Sequence, residues 1–133
     1  MKKIVLTFLI LGSFVLANAE YTKEDRARDM QVMEDSLAEI QKGFLYSNGD
    51  LVKSGLKALR DKISTIEPPV GNTLFTKEET FAYRYAKKQQ EKIDKFAQGV
   101  EDYFFKGERN QALGEYTKIL KECMSCHVKL RKK

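Results

Sequence analysis

The chain has 133 residues, a formal net charge of +5 and a hydrophobic fraction of 42%. That length suits one modest domain, and the charge is too small to make a basic stripe with interleaved aromatics, so nucleic acid is not an expected partner. Two cysteines and one histidine lie within five residues of each other, which confines thiol and imidazole chemistry to one place.

The chain opens with a targeting segment. Lys2 and Lys3 precede an almost wholly apolar run of thirteen residues, Ile4 to Leu16, and Ala17-Asn18-Ala19 supplies the small-x-small pattern of a signal peptidase site. The expectation is a signal peptide over residues 1–19, cleaved after Ala19, and export to the periplasm. The run falls short of the ~20 apolar residues that cross a bilayer, so no stable membrane span is expected. The remaining domain, residues 20–133, carries +3 over 114 residues.

Apolar residues then recur with helical period in four blocks, none showing strand-like alternation. The first runs from about Thr22 to Tyr46 with Met30, Met33, Leu37, Ile40 and Phe44 facing a core. The second, about Asp50 to Ile66, does the same through Val52, Leu56, Leu59, Ile63 and Ile66. The third, about Lys77 to Phe105, uses Ala82, Ala86, Gln89, Ile93, Phe96, Val100 and Tyr103. The fourth, about Arg109 to Arg131, uses Leu113, Tyr116, Leu120, Cys123, His127 and Leu130. Thr22-Lys23-Glu24-Asp25 and Thr76-Lys77-Glu78-Glu79 have the form of capping boxes at helix starts. Ser47-Asn48-Gly49-Asp50 reads as a tight turn, Pro68-Pro69 ends the second block, and Gly107 separates the third from the fourth. Short links make sequential helices neighbours, and a three-four repeat is the seam of helix bundles. The expected fold is all-α, an antiparallel up-down-up-down four-helix bundle.

Cys123-Met124-Ser125-Cys126-His127 carries the chemistry. On a helix, positions i, i+3 and i+4 share a face, so two thiols can add to the vinyl groups along one porphyrin edge while the imidazole reaches the iron. A redox dithiol is expected near a βαβ pattern, which is missing here. A structural zinc takes about four ligands, and two thiols with one imidazole fall short. A plain disulfide leaves His127 unexplained. The motif therefore predicts one covalently attached haem c, with Cys123 and Cys126 as attachment points and His127 as proximal iron ligand.

With this motif in the last helix, followed by Arg131, Lys132 and Lys133, and with Arg26 preceding Met30 and Met33 in the first, the chain resembles the cytochrome c′ family of four-helix-bundle cytochromes. Lys87-Lys88-Gln89-Gln90 adds to the likeness; Leu130, where the family commonly has an aromatic residue, and the loosely matching Pro68-Pro69-Val70 depart from it. The resemblance implies that Arg26 and Arg131 lie near the haem propionates or proximal ligand, and it is compatible with a homodimer.

The sixth iron position separates two functions. There is no second histidine, and Met124 sits on the proximal helix, which leaves Met30 and Met33. The family's low-spin branch uses a methionine there, whereas its five-coordinate members leave a non-ligating apolar residue and bind small gases. The resemblance favours a methionine ligand, with Met30 preferred because Arg26 lies four residues before it; counting back from the turn at Gly49 favours Met33. The leading expectation is a non-enzymatic electron carrier that exchanges electrons with redox partner proteins. The alternative is a protein binding nitric oxide or carbon monoxide. Enzymatic peroxide or nitrogen-oxide chemistry is disfavoured, because no distal histidine is available for proton transfer. Lys129, Arg131, Lys132 and Lys133 either form a docking lip for an acidic partner or complement the negative end of the last helix's dipole. Gln89 is a polar residue on an apolar stripe, facing either the haem edge or solvent.

Overall fold

The structure, a computed structural model, describes residues 21–66 and 77–130. The expected signal peptide, the second capping box at Thr76 and the Pro68-Pro69 stop lie outside these residues. Four helices form: α1 (Lys23–Leu45), α2 (Gly49–Thr65), α3 (Lys77–Phe105) and α4 (Arg109–Leu130). There is no strand among the described residues, and no described helix is long and apolar enough to cross a membrane.

Local chemistry sets the ends. The Thr22 side chain accepts from the Asp25 amide at 3.1 Å while the Asp25 carboxylate accepts from the Thr22 amide at 3.0 Å, which completes the capping box expected at the start of α1. Between α1 and α2 the left-handed residue is Ser47, at φ 50°, and not the glycine. Asn48 caps α2 by accepting from the amides of Asp50 and Leu51, so Gly49 is already helical. Gly107, at φ 83°, takes the left-handed turn between α3 and α4 that a Cβ would oppose.

The helices form one four-helix unit around a shared core of Met33, Ile40, Val52, Leu56, Leu59, Ile63, Ile93, Val100, Phe104, Tyr116 and Ile119. Removing each such side chain from water contributes about 1.5–3 kcal/mol before the entropy of ordering is counted. α1 packs chiefly on α2, α2 on α3 and α3 on α4. In each pair, residue numbers rise on one helix as they fall on the other. Asp29 meets Lys62 and Glu39 meets Ser54; Arg60 meets Asp94 and the Ile66 carbonyl meets Gln90; Lys92 meets Glu122 and Tyr85 meets Lys129.

The α1–α2 contact is the closest. A Cβ on Gly55 would stand 2.8 Å from both the Ile40 Cγ1 and the Ser36 carbonyl oxygen, and one on Gly43 would stand 2.6 Å from Val52 Cγ2. Farther along the same contact, Asp29 is only 8% exposed and accepts from the Tyr21 hydroxyl at 2.8 Å and from the Lys62 ammonium at 2.8 Å. The Lys62 hydrogen bond is the main cause holding the Asp29 carboxyl below its ordinary pKa, against the opposing effect of burial, with Tyr21 adding in the same direction.

Two of the fourth block's expected core residues are out of place. Leu113 is 50% and Leu120 37% exposed, while Ala112, Tyr116 and Ile119 are buried. The helix is rotated by about one residue from the expected phase, and the Tyr116 side chain explains why. Its hydroxyl donates to the Leu37 carbonyl of α1 at 3.0 Å and its ring tilts against Phe44, with centroids 5.7 Å apart. Aimed at that carbonyl, Tyr116 shares its inward side with Ala112 and Ile119, and Leu113 and Leu120 turn outward.

Gly55→Ala should destabilise the fold by about 1–3 kcal/mol through overpacking, the reverse of the ordinary helix preference for alanine. Gly114→Ala, where nothing lies within 4 Å of a new Cβ, should stabilise by about 0.5–1 kcal/mol. Urea unfolding of both variants checks the opposite signs. For Asp29, a lowered folded pKa contributes stability that is fully present above the unfolded carboxylate value of about 3.9 and is lost as pH falls through the folded value. Asp29→Asn should therefore show a flatter loss of stability on acidification than the parent, measured by thermal unfolding across a pH series.

Candidate functional site

The last two turns of α4 carry the site. Cys123, Cys126 and His127 stand at i, i+3 and i+4 and are all half-buried, whereas Met124 between them is 68% exposed. Cys123 packs against the hydrophobic core, and neither thiol is in a disulfide. Burial pushes the Cys123 thiol up to about 11, with the neighbouring Cys126 adding to the shift; burial also raises Cys126. Among the described residues, no group of three His, Cys, Asp or Glu side chains is arranged to hold a metal ion. The thiols and imidazole are displayed side by side along one face of the helix.

Across from this face, α1 presents two different stripes. Asp29, Met33, Ser36, Ile40 and Gly43 are its buried residues, and the contacts of Asp29, Ser36, Ile40 and Gly43 run to α2. Met33, 7% exposed, belongs to this stripe. Met30 shares its face by helical spacing with Leu37 and Phe44, the residues that meet Tyr116 of α4, and it packs half-buried against the core. Arg26, one turn earlier, is half-buried with its guanidinium 5.8 Å from the Tyr21 ring centroid. Arg131, Lys132 and Lys133 lie outside the described residues. Of the described part of the basic C-terminus, Lys129 is placed over the Tyr85 ring of α3 at 4.7 Å.

Gln89 is on the inside, at 5% exposure, and its buried Oε1 has no hydrogen-bond donor among the described residues. A donorless amide oxygen in a core costs about 1–3 kcal/mol, so it marks a place where the packed chain is chemically incomplete. The pairs Lys92–Glu122 and Tyr85–Lys129 bracket it, which sets Gln89 level with the Cys123–Cys126 turn of α4. Sequence had flagged this residue as a polar interruption but could not orient it. Two surface grooves among the described residues lie elsewhere, one lined by residues such as Asp94, Phe96, Gly99, Tyr103 and Glu115, the other by Lys53, Lys57, Arg60 and Glu101.

No protein-family model, curated protein or solved structure matches this chain.

With a pKa of about 11, only about a thousandth of Cys123 is thiolate at pH 8. In the thiol form of the chain, iodoacetamide at pH 8 should therefore modify Cys123 at least tenfold more slowly than it modifies the same residue in urea, read by peptide mass spectrometry.

Proposed function

We propose that this chain is a monohaem c-type cytochrome resembling the cytochrome c′ family, exported to the periplasm, that carries electrons between redox partner proteins. The observation that carries the reading is the display of two unbridged thiols and the chain's only imidazole on one face of α4, against the core.

The residues present fit such a group. Two thiols three apart match the two vinyl substituents of one porphyrin edge, and an imidazole in the next position suits a porphyrin-held iron, where a bare ion would lack ligands. The polar deficit at Gln89 Oε1 lies level with the same turn. Leu120 and Met124 leave apolar surface uncovered on α4 beside it. In this reading the helices form an up-down-up-down bundle. The opposed numbering in the three sequential helix contacts supports it. In that arrangement α1 and α4 run oppositely, and counting seven residues each way from the Leu37–Tyr116 bond sets Met30 level with Cys123 and Arg26 close to His127.

Haem, when bound, supplies the one-electron couple. Cys123 and Cys126 hold it covalently, which matters in a domain of 114 residues with a small core. His127 would hold the iron from the proximal side. Met30 would be the second ligand, preferred over Met33 because Met33 stands on the stripe committed to α2. Held by an imidazole and a thioether, the group would supply electron transfer with little reorganisation. The chain's contribution is ligand choice and burial, which tune the potential.

Pyridine haemochrome absorbance of periplasmically produced protein should show one haem with both vinyl groups saturated, and Cys123→Ser/Cys126→Ser should show none. The oxidised protein should have a sulfur-to-iron charge-transfer band near the red end of the visible spectrum that is lost in Met30→Ala and kept in Met33→Ala. A high-spin ferric spectrum, with ready carbon monoxide binding on reduction, would replace electron carriage with gas binding. Absence of covalent haem would overturn both.

A further inference from the structure

An imidazole on a metal makes a demand on its neighbours. A histidine that gives one ring nitrogen to a metal keeps its proton on the other. That N–H is normally held by a carbonyl or carboxylate, which fixes the ring and raises its strength as a ligand. A site built around His127 therefore calls for an acceptor beside the last turns of α4. α3 carries one. Gln89 is 5% exposed, and its buried Oε1 has no donor among the described residues. The buried residues one turn to either side, Ala86 and Ile93, offer no side-chain acceptor.

Helical spacing gives the direction of that amide. Tyr85 and Lys92, four residues before Gln89 and three after, share its face of α3, and both meet α4: Tyr85 at Lys129 and Lys92 at Glu122. Buried between them, Gln89 points into the interior on the α4 side. The same two contacts give its level. Interpolating between them sets Gln89 opposite Ser125, about 3 Å along the axis from His127. Side chains on a helix lean toward its N-terminus. Residue numbers rise on α3 as they fall on α4 across this contact, so Gln89 leans toward the level of His127 while His127 leans back toward that of Gln89.

We propose that Gln89 is the positioning residue for the iron-bound histidine, its Oε1 accepting the hydrogen bond from the ring N–H that His127 keeps when its other nitrogen holds the metal. The inference rests on the haem attachment proposed above. It is independent of whether Met30 or a gas occupies the opposite side. An amide oxygen is an uncharged acceptor, so it orients the imidazole plane and leaves the proton on the ring. It also adds electron density to the ligand, which favours the ferric state.

The test uses the full haem-loaded protein, with pyridine haemochrome absorbance confirming one covalent haem in each variant and circular dichroism its helical fold. Gln89→Leu removes the acceptor at similar size. It should shift the ferric–ferrous equilibrium with a redox mediator about tenfold toward ferrous, a rise of about 59 mV in midpoint potential. Gln89→Glu at pH 8, a stronger acceptor of the same shape, should shift it the other way. Gln90→Leu, which breaks the neighbouring hydrogen bond to the Ile66 carbonyl, should leave the potential at the parental value. In the reduced protein the His127 ring N–H, followed by proton NMR in deuterated water, should exchange about tenfold faster in Gln89→Leu than in the parent. Parental potentials in both Gln89 variants would overturn the inference and leave the haem reading intact. So would shifts of the same sign in both, which mark a packing role. A Gln89→Leu chain that fails to fold leaves the sign of the Gln89→Glu shift to decide. A parent without covalent haem would overturn this inference and the haem reading together.

Discussion

The fold turns on how a buried phenol finds its hydrogen-bond partner. Tyr116 is large and mostly enclosed, and its hydroxyl cannot be taken from water without an acceptor. The Leu37 carbonyl of α1 provides one, and the Phe44 ring closes the apolar side. That single contact fixes the rotation of α4 about its own axis. Rotating the helix far enough to bury Leu113 and Leu120 in place of Ala112 and Ile119 would draw the phenol away from that carbonyl. What the thiols and imidazole can reach, and which residues remain in water, therefore depend on a residue two turns before the cysteines.

The other helix contacts are built differently. α1 and α2 meet through small side chains, with Gly43, Gly55 and Ser36 admitting close approach and the Asp29–Lys62 pair beyond them. α3 and α4 are linked by long side chains lying over their neighbours. Lys92 reaches Glu122, Lys118 stands 5.4 Å from the Phe96 ring centroid and Lys129 covers Tyr85. Arg60 ties α2 to α3 through Asp94, at 2.8 Å, and Gln98, at 3.2 Å. A tight hairpin of α1 and α2 thus faces a pair whose rim is flexible and charged. α1 and α4 meet at the hydrogen bond from Tyr116 to the Leu37 carbonyl, with the Phe44 ring beside it.

Legibility in the sequence followed the chemistry of each stripe. In α2 every inward position but Gly55 is a branched apolar residue, so Val52, Leu56, Leu59, Ile63 and Ile66 were all readable and all are buried. In α1 the α2-facing stripe includes Asp29, Ser36 and Gly43, which carry no hydrophobic signal. Their burial depends on partners supplied by α2 and by Tyr21, not on their own character. In α4 two adjacent stripes satisfy the same spacing. The leucines at 113 and 120 outweighed alanine and isoleucine at 112 and 119, and no local rule distinguishes them. Cys123, Cys126 and His127 could be found from spacing alone. Spacing did not separate Met30 from Met33; in the structure Met33 is buried on the stripe with Ile40 and Gly43, and Met30 packs half-buried against the core.

The hydrogen bond from Tyr21 to Asp29 bears on how the first turns of α1 hold. The phenol reaches eight residues ahead, past the helix's own cap, to a carboxylate that also accepts from Lys62 of α2. Helix ends ordinarily fray first, because their amides have few partners. Here the end of one helix is knotted to the far end of the next through a shared acceptor, so unwinding at the start of α1 is felt at the close of α2.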